Sequence, residues 1–246
     1  MKIYLAGTQG NKGSILDNKE KGIYLLESFF YLKDSHMDMY KNHNFLLDSG
    51  AFTFFSGKKV DWDSYVGRDI EFINKHDIDL FFELDIDRVV GIKKVEEIRK
   101  RIENETGKQS IPVWRPSRGI EYWYKMIKEY SYVAISASGK YDSSWTRSKE
   151  SIPILKKMLK LAKENNCKVH GLGFTSLKLL KQIPFYSVDS TSWIAGQKFG
   201  VIIKFNGEGF DKYKRPKNSR MINPSLRLEN GFTEWIKFQK YADANL

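Results

Sequence analysis

The chain has 246 residues, 41% of them hydrophobic and 29% charged, and its net charge of +11 favours an anionic partner such as nucleic acid. No apolar run reaches the roughly 18 residues that span a bilayer, so we expect no membrane partner and a cytoplasmic location. The single cysteine, Cys167, excludes an intramolecular disulfide and a cysteine-rich zinc site, and we expect no metal and no other cofactor.

Short apolar runs alternate along the chain with amphipathic helical patterns. The runs are rich in β-branched and aromatic residues, and they predict strands at 2–7, 45–52, 79–87, 111–116, 132–138, 168–174, 185–191 and 200–206. The amphipathic stretches predict helices at 61–77, 95–107, 120–130, 151–166 and 175–183. A basic, loop-like stretch at 211–232 precedes a closing helix.

Eight strands alternating with helices predict an α/β protein, a compact (β/α)8 TIM barrel. We expect residues 1–246 to form a single barrel domain, with the basic loop and closing helix at about 207–246. A doubly wound open sheet is the alternative, but Gly7, Gly10 and Gly13 do not have the spacing of its phosphate-binding motif.

Polar residues stand where the predicted strands end, which is where barrel enzymes place their active sites. Asp48, Asp85, Asp87 and Asp189 all lie at such ends, and so does Arg115. Two carboxylates over one barrel mouth favour acid/base or nucleophilic chemistry at a glycosidic carbon. A divalent ion held by the carboxylates is the alternative. Each aspartate could also be a helix cap or the partner of a buried arginine, and Arg115 could equally pair with an aspartate.

Five motifs follow one another along the chain: LDSGAF, FELD, AISASG, HGLGFTSLKLL and FYSVDSTSW. In this order, from about residue 45 to 195, they resemble the tRNA-guanine transglycosylase (queuine tRNA-ribosyltransferase) family. The short chain looks more like the compact, zinc-less phage-type members that act on DNA, which would place it in a host cytoplasm. It departs from the family at Ala51, where a glycine is usual, at Thr53, where a glutamine is usual, and in lacking the zinc site.

The resemblance implies a role for two of the aspartates. Asp189 would be the nucleophile that attacks C1′ of a nucleotide and forms a covalent glycosyl-enzyme. Asp48 would be the general acid/base, which protonates the departing purine and then takes a proton from the incoming base.

The resemblance also implies a base pocket and a surface for phosphates. Phe52 would stack on the base, and either Asp85 or Asp87 would read its Watson–Crick edge. The residues implied for the pocket are Ser49, Gly50, Phe52, Asp85, Asp87, Arg115, Ser138, Gly139, Leu172 and Gly173. The residues implied for phosphate contacts are Lys212, Lys214, Arg215, Lys217 and Arg220.

The function expected from these features is exchange of guanine in nucleic acid for a 7-deazaguanine of the preQ0 or preQ1 type. DNA is favoured over tRNA as substrate, and the target base must leave its stack to react. Two alternatives stay open. One is a non-catalytic barrel that binds nucleic acid or a nucleobase, and the other is a hydrolase that removes the base with water.

Overall fold

The computed structural model describes residues 1–8, 21–56, 60–136, 148–214 and 223–246. Its parallel strands are β1 (Lys2–Ala6), β2 (Tyr24–Ser28), β3 (Asn44–Asp48), β4 (Val113–Trp114), β5 (Tyr132–Ser136), β6 (Lys168–Leu172) and β7 (Ser187–Ser190). They form one sheet in the order β3-β2-β1-β7-β6-β5-β4. Every neighbouring pair in this sheet is parallel, so all seven carboxyl ends lie at the same edge.

Helices cover the outer face of this sheet. They are α1 (Trp62–Lys75), α2 (Asp87–Val90), α3 (Ile92–Thr106), α4 (Ile120–Glu129), α5 (Ser151–Glu164), α6 (Leu177–Leu180), α7 (Ala195–Phe199) and α8 (Pro224–Asn245). Asp61 caps the first of them, because its side chain accepts the Ser64 N–H at 3.2 Å. The helices predicted at 61–77, 95–107, 120–130 and 151–166 are confirmed to within a few residues.

The prediction of a closed (β/α)8 barrel is wrong, because the parallel sheet is an open, curled half-barrel of seven strands. The segment predicted as a strand at 79–87 forms none. Within it, Phe81 and Phe82 make one isolated parallel bridge each, to Leu47 of β3 and to Ile111. The connection between β2 and β3 also departs from the predicted repeat, since it consists of 3-10 turns at Phe29–Tyr31 and Asp34–Tyr40.

A buried acid interrupts the ladder next to Phe82. The Glu83 carboxylate accepts the backbone N–H of Val113 at 2.9 Å, so this donor pairs with a side chain instead of a strand carbonyl. The chain then turns tightly, with the Ile86 N–H donating to the Leu84 carbonyl at 2.9 Å, and α2 begins. A contact between residues 30 positions apart therefore ends the pairing that the local apolar pattern predicts.

The segment predicted as the last parallel strand, at 200–206, lies in a different sheet. There β8 (Val201–Phe205) pairs antiparallel with β9 (Phe210–Lys214). Asn206 shapes the turn between them, because its side-chain oxygen accepts the N–H groups of Glu208 and Gly209 at 2.9 and 2.8 Å. The four residues between the paired Phe205 and Phe210 form this turn, so β8 and β9 make a hairpin outside the parallel sheet.

The basic stretch expected as a loop at 211–232 is regular at both of its ends. Its first residues belong to β9, and its last residues form the first turns of α8. Asn223 caps this helix by accepting the Ser225 N–H at 2.9 Å, and Pro224 occupies its first position. Residues 215–222 lie outside the described part of the chain.

Strand alternation separates two buried layers. Ile3 and Leu5 of β1 pack among the helices, whereas Tyr4 points to the concave face of the sheet. The same alternation puts Leu46 of β3 on the concave face and Leu47 on the helix side. Asp48 follows Leu46 by two positions and thus shares the concave face, at the carboxyl edge of the sheet.

Candidate active site

Two of the predicted aspartates lie at the carboxyl edge of the parallel sheet. Asp48 ends β3, where it pairs with Ser28 of β2, and Asp189 pairs with Tyr4 of β1 from its position in β7. Both side chains belong to the concave face, and the charge of Asp189 raises the pKa of Asp48. The two carboxylates therefore lie within electrostatic range of each other.

Asp48 has the pKa of a group that can exchange protons near neutral pH. Its pKa is raised to about 6, mainly by burial. The charge of Asp189 raises this pKa further, whereas hydrogen bonds from the Gly50 N–H and the Ser28 hydroxyl lower it. The Gly50 N–H donates to Oδ2 of Asp48 at 3.1 Å. At such a pKa both protonation states are populated around pH 6, as acid/base catalysis requires.

The turn after Asp48 is held in one shape by close packing. Gly50 has φ of +78°, and a Cβ atom there would lie 2.8 Å from Cβ of Phe30 and 2.9 Å from the Tyr65 hydroxyl. The Tyr65 hydroxyl donates to the backbone carbonyl of Ser49 at 2.7 Å. Ser49 and Gly50, predicted as pocket residues, thus set the direction in which Asp48 leaves the strand.

Asp189 is anchored through one of its two oxygens. Oδ1 accepts the Gly173 N–H at 3.0 Å and lies 3.1 Å from Nε2 of His170. Oδ2 has no hydrogen-bond partner among the described residues. The Asp189 side chain is 14% exposed, so its free oxygen is at the edge of the site and not inside the core.

His170 begins the motif HGLGFTSLKLL, but the sequence analysis gave it no role in the site. It lies in the middle of β6 on the concave face, fully buried, with its register partner Ser187 in β7. The signal that would have found it is the alternation of β6. His170 precedes Leu172 by two positions, so it must face the same side as the predicted pocket residue Leu172.

Arg115 and the two acids predicted as alternatives belong to a larger buried ion-pair network, in which three guanidinium groups face three carboxylates. Its members are Glu83, Asp85, Asp87, Arg99, Arg115 and Arg118. Glu83, Arg99 and Arg118 were not predicted, since their pairing depends on contacts between distant segments.

The pKa values of Asp85 and Asp87 shift in opposite directions within this network. Arg115 bonds to the carboxylate of Asp85 and, at 3.0 Å, to its backbone carbonyl. Burial raises the pKa of Asp85 to about 7, against the lowering effect of Arg115 and Arg118 and with the raising effect of Asp48. Burial also acts on Asp87, but its 2.8 Å hydrogen bond from Arg118 and that cation's charge lower its pKa overall. Asp85 is therefore the acid that is coupled to Asp48.

The structure describes only some of the remaining predicted residues. Lys212 and Lys214 are exposed on β9, and Leu172 ends β6 directly before Gly173. The other predicted positions lie outside the described residues, or, for Phe52, outside the described side chains: Phe52, Ser138, Gly139, Arg215, Lys217 and Arg220.

A search of the described residues finds no group of three His, Cys, Asp or Glu side chains placed to hold a metal ion. In the same part of the chain, no helix combines the length and apolar character needed to cross a membrane. Neither a protein-family model nor a curated protein sequence matches this chain. The site must therefore be interpreted from its own geometry.

Proposed function

We propose that this protein is a pentosyltransferase that exchanges guanine in nucleic acid for a 7-deazaguanine base. The observation that carries the proposal is that Asp189 and Asp48 lie at the carboxyl edge of one sheet, within electrostatic range of each other. The Asp189 carboxylate is anchored through one oxygen and keeps the other free, and Asp48 has a pKa of about 6. This pair has the chemical properties that a double displacement at C1′ requires.

In the first step, Oδ2 of Asp189 attacks C1′ and the bond from C1′ to N9 of guanine breaks. Protonated Asp48 gives its proton to the departing base, so the base leaves as neutral guanine. In the second step, ionised Asp48 removes a proton from the incoming 7-deazaguanine. The base nitrogen attacks C1′, and Asp189 leaves as a carboxylate. Two inversions give net retention at the sugar carbon.

Asp85 is the better candidate to read the base. It is coupled to Asp48 and is bonded to one guanidinium, that of Arg115, whereas Asp87 faces two, Arg118 at 2.8 Å and Arg115 at 3.5 Å. The Asp85 carboxylate would accept hydrogen bonds from the N1–H and amino groups of guanine. Arg115 would hold this carboxylate in place.

DNA is the favoured substrate. The net charge of +11 suits a polyanion, and the exposed Lys212 and Lys214 are available for phosphate contacts. The tRNA enzymes of the family that the sequence resembles dock their substrate with a zinc element built on three cysteines. This chain has only Cys167.

The test is incorporation of labelled 7-deazaguanine bases into single-stranded DNA, duplex DNA and tRNA, each analysed in parallel. We expect incorporation into DNA with release of guanine, and a covalent protein–DNA adduct when the incoming base is omitted. Asp189→Asn should abolish the adduct, whereas Asp79→Asn, an exposed aspartate near the opposite edge of the sheet, should not. Failure of the wild-type protein to label any polymer would overturn the proposal, and abasic sites as product would favour hydrolysis.

A further inference from the structure

A buried chain of hydrogen bonds ends on the proposed nucleophile. His170 is fully buried, with the rings of Tyr4 and Phe82 centred 6.0 and 5.1 Å from its own. Its Nε2 atom lies 3.1 Å from Oδ1 of Asp189, and its Nδ1 atom contacts the Ser187 hydroxyl. The Ser187 hydroxyl is bonded in turn to the hydroxyl of Tyr132.

The chemistry of the four groups fixes the direction of this chain. An ionised Asp189 can only accept, so Nε2 of His170 must carry a proton and donate it. In a neutral ring Nδ1 is then an acceptor, which requires Ser187 to donate to it. Ser187 consequently accepts from Tyr132. A doubly protonated ring would instead donate an N–H to Ser187. Ser187 would then donate to Tyr132, and the proton of the buried Tyr132 hydroxyl would have no acceptor among the described residues.

We propose that His170 is a positioning residue, which holds Oδ1 of Asp189 and leaves Oδ2 to form the bond to C1′. Tyr132 and Ser187 determine which nitrogen of His170 carries the proton. The inference rests on the proposed function for the role of Asp189. No proton leaves His170 in this scheme, since Oδ1 accepts its N–H both as a carboxylate oxygen and as the carbonyl oxygen of the glycosyl ester.

Hydrogen bonds to a carboxylate are stronger than those to an ester carbonyl. His170 and the Gly173 N–H therefore stabilise Asp189 as it leaves C1′ in the second step. Removal of His170 should slow the breakdown of the covalent intermediate and leave binding of DNA largely unchanged.

The first measurement is the tautomer of His170 in the free protein, by long-range ¹⁵N–¹H NMR. We expect protonated Nε2 and unprotonated Nδ1, and a mixture of tautomers in Ser187→Ala. The Tyr186→Phe variant is the matched control for Tyr132→Phe. The Tyr186 ring packs against that of Tyr132, with 5.5 Å between the ring centres, but the charged groups that act on its hydroxyl are Lys2 and Lys168, outside the hydrogen-bond chain. A protonated Nδ1 in the wild-type protein would overturn the inference.

The second measurement is base exchange on a DNA oligonucleotide with 7-cyano-7-deazaguanine as the incoming base. His170→Phe should lower kcat at least tenfold, change the Kd for DNA less than twofold, and increase the fraction of enzyme held as adduct. His170→Gln, which keeps an N–H donor, should recover part of kcat. Thermal unfolding checks that each variant folds.

The outcomes separate the two proposals. If the wild-type protein exchanges bases and His170→Phe does so equally fast, the role of His170 is wrong and the proposed function stands. If the wild-type protein exchanges no base, the proposed function is wrong, and the role of His170 is wrong with it.

Discussion

Asp69 offers the sharpest test of how burial controls the carboxylates of this protein. It lies on α1, is 3% exposed, and its Oδ1 atom is buried without a hydrogen-bond partner among the described residues. Burial, followed by the charge of Asp48, raises the pKa of Asp69 from 3.8 to about 8. Asp69→Asn removes the titrating proton and keeps the shape of the side chain.

The size of the effect follows from linkage. Between about pH 4 and pH 8 the folded protein holds a proton on Asp69 that the unfolded chain releases, so wild-type stability falls as pH rises through this window. Each pH unit above 3.8, up to about pH 8, lowers the free energy of unfolding by about 1.4 kcal/mol. The cost is therefore roughly 1–2 kcal/mol at pH 5 and roughly 4 kcal/mol at pH 7. Above about pH 8 it levels off.

The assay is urea unfolding of both proteins at pH 5, 6, 7, 8 and 9, followed by tryptophan fluorescence. The free energy of unfolding of Asp69→Asn, relative to that of the wild-type protein, should rise by about 2–3 kcal/mol from pH 5 to pH 7. Asp63→Asn is the matched control on the same helix, where the side chain is 88% exposed, and its difference should stay constant. If the free energies of unfolding of Asp69→Asn and the wild-type protein differ by the same amount at every pH, the reasoning is refuted.

Four further predictions concern the site and its surroundings. Asp48→Asn should slow guanine release at least about 100-fold without weakening DNA binding. In the wild-type protein, guanine release should slow as the pH rises through about 6, where Asp48 loses its proton. Gly50→Ala should lower the free energy of unfolding by about 2 kcal/mol or more, seen by urea unfolding, because φ is +78° and the added Cβ meets neighbours within 3.0 Å. Glu83→Gln should cost about 3–5 kcal/mol by the same assay, since it removes the buried negative charge that faces both Arg99 and Arg118. A loss below about 1 kcal/mol would contradict the network's importance. Replacing Lys212 and Lys214 by alanine should reduce the salt dependence of DNA binding by a slope of about two, and an unchanged slope would exclude this surface.

Features decided by neighbouring residues could be predicted from the sequence. The strand that carries Asp48, the helix that begins after Asp61 and the strand that carries Asp189 all follow from local apolar patterns and capping residues. The strand β2 escaped prediction. It lies between β1 and β3 and supplies the Ser28 hydroxyl beside Asp48.

Features decided by contacts between distant segments needed the tertiary structure. Apolar patterning placed a strand at 79–87, but the segment forms only isolated bridges, and next to them the Glu83 carboxylate accepts the N–H of Val113. The choice between Asp85 and Asp87 depends on which guanidinium reaches each acid. A sequence records that such charges exist, whereas their partners are set only when the chain folds.

The site shows the same division. The sequence by itself determined that aspartates end two strands of a parallel sheet, because strand ends are local features. Only the tertiary structure put His170 against Asp189, because the register between β6 and β7 sets which side chains meet across the concave face. That register depends on packing over the whole sheet, which no local pattern contains.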